Sequence, residues 1–144
     1  MAHTPEVKYK LMGGYCPEYA HKGDAGCDLR CPARTVVRAH AVEVLPMGIA
    51  LEIPRGCYGM VCSRAGAATA GLVVQGGVAV IDSTYRGEIK VALRNETDEP
   101  IILPPGARVA QVLFNHIMPA SLVPADELGE TERGDSGRGG SGLW

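Results

Sequence analysis

Val78-Ala79-Val80-Ile81-Asp82-Ser83-Thr84-Tyr85-Arg86-Gly87-Glu88-Ile89-Lys90-Val91-Ala92-Leu93 sets two apolar, β-branched runs on either side of a polar turn. Val and Ile are stiff at χ1 and pack well on a pleated surface, and Gly87 lets the chain turn back. The stretch therefore predicts two strands joined as a hairpin. The same rhythm continues in both directions, with apolar runs at residues 42–45, 47–53, 57–62, 72–75, 101–103 and 109–117. Pro54-Arg55-Gly56, Gly76-Gly77 and Pro104-Pro105-Gly106 separate them, where Pro presets φ and Gly accepts positive φ. Residues 65–70 are long enough for one short helix or turn and no more. Many short strands at this spacing predict an all-β fold, a jelly-roll-like sandwich or distorted barrel.

At 144 residues the chain fits one domain that needs no metal or disulfide staple. Its net charge of −2 excludes a broad basic surface, so nucleic acid is not an expected partner, whereas a small anion held by a few local cations is. No run of eighteen apolar residues occurs, and no membrane partner is expected. The five cysteines are odd in number and lack CxxC spacing, which indicates reduced thiols rather than a zinc site or a disulfide framework. The start, Met1-Ala2-His3-Thr4-Pro5, has no apolar signal core. A cytoplasmic location is the expectation.

Four segments carry chemistry. In the opening stretch Asp82 directly follows a strand, a place where a carboxylate is most often a turn residue; with Tyr85 packing its face against a sugar, Asp82 would stand at the mouth of a pocket. Backbone groups beside Gly76 and Gly77 are free of side-chain obstruction and suit a flat polar ring. Asp28, in Ala25-Gly26-Cys27-Asp28-Leu29, is suited to the water shell of Mg²⁺, an ion that keeps several waters and uses few protein ligands. Ser63-Arg64-Ala65-Gly66 combines a hydroxyl, a guanidinium and open backbone, a natural phosphate contact, although a surface turn reads equally well. Gly106-Ala107-Arg108-Val109-Ala110-Gln111 brings an arginine and an amide into the last long strand, equally compatible with structural ion pairing.

The last sixteen residues, 129–144, hold six glycines, two arginines and only two apolar side chains, too little to fold alone. Arg133-Gly134-Asp135-Ser136-Gly137-Arg138-Gly139-Gly140-Ser141-Gly142 nevertheless supplies guanidinium groups and unobstructed N–H donors, as polyphosphate capture requires. The chain thus divides into a β domain over 1–128 and a flexible, Gly-rich lid over 129–144 that closes on an active site.

Taken in order, these segments resemble the five motifs of the trimeric dUTPases, the deoxyuridine triphosphate nucleotidohydrolases: 25–29, 63–66, 80–91, 106–111 and 133–142. The resemblance implies a β-clip, jelly-roll-like subunit in a homotrimer with shared active sites. It also implies hydrolysis of dUTP to dUMP and pyrophosphate with Mg²⁺, which limits uracil incorporation into DNA and supplies dUMP for thymidylate synthesis. By the resemblance Asp82 is the catalytic base that activates the attacking water, and Tyr85 stacks under deoxyribose. Backbone around Gly76, Val80 and Ile81 reads uracil, and Lys90 adds a substrate contact. Ser63, Arg64, Ala65, Gly66 and Gln111 serve the phosphates, and Asp28 acts on metal-bound water. Arg133 clamps the γ-phosphate, while Arg138, Gly139, Gly140 and Ser141 close over the nucleotide. Two positions depart from the family pattern: Ala65 stands where a serine is usual, and Arg138 where an aromatic ring stacks on the base. A guanidinium plane also stacks on a base. A dCTP deaminase-like enzyme, similar in fold, and a non-catalytic nucleotide-binding signalling module are the alternatives. Release of pyrophosphate from dUTP, against ammonia from dCTP or no turnover, separates them.

Overall fold

A computed structural model describes residues 4–142, so the outer ends of both expected segments, residues 1–3 and 143–144, lie outside the described residues. The chain forms β1 (Lys8–Leu11), β2 (Cys27–Arg30), β3 (Thr35–Val37), β4 (Val42–Glu52), β5 (Cys57–Cys62), α1 (Ala65–Thr69), β6 (Leu72–Val74), β7 (Val78–Asp82), β8 (Glu88–Asn95), β9 (Ile101–Leu103) and β10 (Arg108–His116). The all-β expectation holds, with its single short helix. The apolar runs at 42–45 and 47–53 are one strand, β4, continuous through Pro46. Strands β1, β2 and β3 lie outside the apolar runs read from the sequence. In β1, Lys-Tyr-Lys-Leu, every residue is exposed, and only its antiparallel pairing with β4 makes it a strand.

Two four-stranded sheets, ordered β1-β4-β8-β6 and β2-β10-β5-β7, pack face to face, and β3 pairs with β9 in a small third sheet. All pairings are antiparallel. Leu45, Met47, Ile49 and Leu51 of β4 and Ile89, Val91 and Leu93 of β8 share one core with Leu29, Val61, Ile81, Val109 and Val112 of the other sheet. Removing each such aliphatic side chain from water stabilises the fold by about 1.5–3 kcal/mol. The architecture is the jelly-roll-like sandwich and not a closed barrel. Among the described residues no helix is long and apolar enough to cross a membrane, and all five cysteines are unpaired.

The hairpin expected from the opening stretch is corrected. Strand β7 pairs with β5, and β8 pairs with β4 and β6, so the two strands enter different sheets and never pair with each other. The burial pattern explains this: Ile81 turns inward from one sheet, while Ile89, Val91 and Leu93 turn inward from the other. Residues 83–87 are long enough to bridge the roughly 10 Å between packed sheets. The link is an arch, and the space beneath it becomes a cavity.

Strand β4 also slips against β8. Pro46 lies opposite Lys90 and Ala50 opposite Glu88, so Met47, Gly48 and Ile49 bulge across a single partner residue. Gly48 has φ +65°, in the left-handed region that favours glycine. A Cβ on it would meet the backbone of Gly14, whose own N–H donates to Gly48 C=O at 3.0 Å.

Candidate functional site

The arch encloses a cavity of about 230 Å³ walled by Val80, Ile81, Asp82, Tyr85, Glu88 and Lys90, among others. Four residues expected to bind substrate and the expected base therefore come together in one chain. Asp82 is exposed, and among the described residues no hydrogen bond or ion pair engages its carboxylate. Its C=O accepts the Tyr85 N–H at 3.0 Å and closes the turn of the arch. The Tyr85 hydroxyl donates to Glu88 C=O at 2.9 Å. The phenol ring lies so close over Gly87 that a Cβ there would sit 2.5 Å from its oxygen. Gly87 thus makes room for the ring, a role the sequence reading assigned only to chain reversal. Gly76 lies in the exposed turn before β7, with φ +80°, and does not line this cavity.

A second group forms at the other end of β5. Asp28 sits on β2 with its side chain only 8% exposed. Its Oδ1 accepts from Arg64 Nε at 2.6 Å, and its Oδ2 lies 3.2 Å from Arg108 Nε. Two guanidinium groups on one carboxylate leave a surplus positive charge, which favours an arriving polyanion. The Gln111 amide donates to Ser63 C=O at 2.9 Å, and its Oε1 fills the space beside Gly26 that a side chain would need. The Ser63 Oγ accepts the Val74 N–H at 2.8 Å, so that hydroxyl oxygen is already engaged in holding β6. Ala65 and Gly66 open the exposed first turn of α1. Arg108 is the member sequence reasoning left unplaced: nothing in its neighbourhood separates ion pairing from ligand contact, and only the register of β10 on β2 brings it to Asp28.

The two groups do not meet within the chain. Asp82 pairs with Tyr58 and Gln111 with Cys62, so they stand at opposite ends of β5, offset by roughly 13 Å along it and on the strands that flank it on either side. The tail is a third, separate group. Arg133 Nε donates to Ser136 C=O at 2.9 Å, and Arg133, Ser136, Gly140 and Ser141 line an open hollow of about 590 Å³. Among the described residues no hydrogen bond ties 129–142, which include Arg138 and Gly139, to the β domain.

No group of three or more His, Cys, Asp or Glu side chains suited to a metal ion occurs among the described residues. Because both Asp28 oxygens already face guanidinium groups, direct chelation of a divalent cation there does not fit. A cation delivered on phosphate oxygens and reached from Asp28 through water does.

A cavity of about 480 Å³ lies elsewhere and is lined by Tyr9, Tyr19, Cys27, Cys57, Phe114 and His116, with no carboxylate, lysine or arginine on its wall. Burial pushes the Cys27 thiol up, an effect partly opposed by its hydrogen bond with Tyr19. That hydrogen bond is the main reason the Tyr19 phenol is raised, and a hydrogen bond with Cys16 does the same for Tyr9. These groups stay neutral near pH 7, which makes them poor nucleophiles and bases.

Comparison with known proteins agrees with the geometry. The dUTPase family profile matches residues 14–142. The deoxyuridine 5'-triphosphate nucleotidohydrolase of Corynebacterium glutamicum is 39% identical over 117 residues, covering 80% of this chain and 78% of that protein. The dUTPase of Staphylococcus bacteriophage 80alpha, solved with dUPNHPP, superposes with a TM-score of 0.89 at 25% identity over 97% of this chain and 100% of its own. A mutant dUTPase from phage phi11 of S. aureus, described as coordinating a structural Mg(II) ion, shares the fold with a TM-score of 0.78 at 21% identity, over 85% of this chain and 97% of its own. A carboxylate over an aromatic-walled cavity, a cationic cluster one strand-length away and a glycine-rich tail thus occur in a chain that belongs to the dUTPase family.

Proposed function

We propose that this protein hydrolyses dUTP to dUMP and pyrophosphate in sites shared among the subunits of a homotrimer, with Mg²⁺ carried on the substrate. The observation that carries this reading is the division of the site between the two ends of β5. The arch presents a base and a sugar-sized cavity without phosphate ligands, and the Asp28-Arg64-Arg108 group presents phosphate ligands without a base. Each half completes the other only when it comes from a different subunit. The segment after β10 supports the same assembly, since Met118, Leu122, Val123 and Leu128 are exposed, Leu122 by 95%, and such a run favours cover by another chain.

In this reading Val80 and Ile81 backbone groups face the uracil, Tyr85 packs under the deoxyribose, and Lys90 contacts the substrate from β8. Arg64, Ala65, Gly66, Ser63 and Gln111 of a second subunit hold the phosphates. Asp82 accepts a proton as a water oxygen attacks the α-phosphorus, and the bond to the β-phosphate breaks with pyrophosphate as leaving group. Mg²⁺, when bound on the phosphates, would neutralise their charge, and Asp28 would hold it through water. Residues 129–144 close as a lid, with Arg133 on the γ-phosphate and Arg138 on the base beside Gly139, Gly140 and Ser141. Closure excludes water and adds a cation only when substrate is present. Five unpaired thiols support a reducing, cytoplasm-like compartment.

Incubation with dUTP, and separately with dCTP, tests the assignment. Pyrophosphate and dUMP from dUTP, with no ammonia from dCTP, is the expected result. Asp82→Asn should bind nucleotide yet turn over about 10²–10⁴-fold more slowly. Near-normal turnover in that variant overturns the role of Asp82.

A further inference from the structure

Strand β8 begins at the foot of the arch with Glu88, whose side chain and main chain face two different jobs. Its Oε1 accepts the Gly48 N–H at 3.0 Å. That donor needs a partner, because the β4 bulge sets Met47, Gly48 and Ile49 against one residue of β8, and Gly48 is buried. The Glu88 main-chain carbonyl, in turn, accepts the Tyr85 hydroxyl at 2.9 Å, one residue beyond the glycine on which the ring lies. The Gly48 C=O continues the chain of contacts by accepting the N–H groups of Met12 at 2.6 Å and Gly14 at 3.0 Å.

We infer that Glu88 is a positioning residue for sugar selection: it references the Tyr85 ring to the β4 bulge and so fixes the width of the cavity where deoxyribose lies. The inference rests on the dUTPase reading above. Tyr85 is exposed and sits on a turn, where a ring otherwise samples several rotamers. Two contacts restrain it, the face of Gly87 and the Glu88 carbonyl, and they belong to the residue that the Gly48 bond holds in place and to its neighbour. A ring free to swing widens the wall and admits a 2′-hydroxyl. The Asp82 carboxylate and the phosphate ligands are untouched by that motion.

The test is the ratio of kcat/KM for dUTP to that for UTP in wild type, Glu88→Ala and Glu88→Gln, with melting temperatures recorded. Glutamine keeps the Oε1 acceptor and loses only the charge. In Glu88→Ala the ratio should fall by about tenfold or more, chiefly through a higher KM for dUTP and a lower KM for UTP. In Glu88→Gln the ratio should return to within about threefold of wild type. A melting temperature lowered in Glu88→Ala with the wild-type ratio retained assigns Glu88 to the bulge alone and overturns the inference. Equal loss of the ratio in both variants overturns it too, because charge and not acceptance then matters. Failure of the wild type to prefer dUTP refutes the underlying functional reading instead, so the two failures are distinguishable.

Discussion

Two inactive variants should make an active enzyme when mixed. Asp82→Asn removes the base under the arch but leaves the phosphate cluster intact, while Arg64→Ala removes the short bond to Asp28 and the expected phosphate contact but leaves the arch intact. Arg108 still pairs with Asp28 in the second variant, which limits the cost of a buried carboxylate. Each parent alone should retain about 10⁻²–10⁻⁴ of wild-type turnover. In a cyclic trimer each site joins the arch of one subunit to the cluster of the next. On equal random mixing, three quarters of the trimers are mixed, and each holds one junction in three where an intact arch faces an intact cluster. About one quarter of all sites, and hence about one quarter of wild-type kcat, should therefore return, with a KM like that of wild type. The assay is steady-state pyrophosphate release after co-refolding the two variants, with differently tagged subunits and native mass spectrometry to verify mixed trimers. If mixed trimers form and activity stays at the average of the parents, both halves of a site come from one subunit and the roughly 13 Å division along β5 has been misread.

Truncation before Arg133 should leave the trimer intact by sedimentation and lower turnover by about 10²-fold or more; full activity in the shortened protein refutes the lid. Gly87→Ala pushes a Cβ against the Tyr85 ring, 2.5 Å from its oxygen, so KM for dUTP should rise on the order of tenfold to a hundredfold, read from initial rates. An unaltered KM removes the ring from the substrate wall. The raised Cys27 thiol and Tyr19 phenol give an alkaline limit: the folded state keeps protons that the unfolded state has released. Stability should hold below the ordinary thiol value and fall as pH climbs through the raised folded-state values. Melting curves from about pH 8 to about pH 10.5 check this, and Cys27→Val should flatten the decline. A parallel decline in that variant places the titration elsewhere.

Much of the fold was legible because core-facing runs such as Ile89, Val91 and Leu93 announce their strands by alternation. Boundaries at β5 and β9 coincide with the apolar runs themselves. What alternation does not encode is the partner of each strand. The opening stretch has the composition of a hairpin, and only the sandwich, by drawing Ile81 and Ile89 inward from different sheets, turns it into an arch. Exposed β1 has only Tyr9 and Leu11 to mark it, too short an alternation to stand out. At the site, Asp82 and Tyr85 were visible as chemistry beside a turn, Asp28 and Arg64 as members of motifs, and Lys90 only through the family resemblance. Arg108 and Glu88 were not placed there, because their roles arise from register: the fit of β10 on β2 and the slip of β4 on β8.

The arch between β7 and β8 has a mechanical corollary. Because its two feet stand in opposite layers, the base and the sugar wall share no single scaffold, and their spacing is set by the contact between the layers themselves. Any heating, cavity-forming substitution or solvent entry that lets one layer slide over the other ruins substrate fit before either sheet has melted. Loss of catalysis should therefore precede loss of β-sheet signal in a thermal ramp, and the gap between the two transitions measures how firmly the halves of the sandwich grip each other.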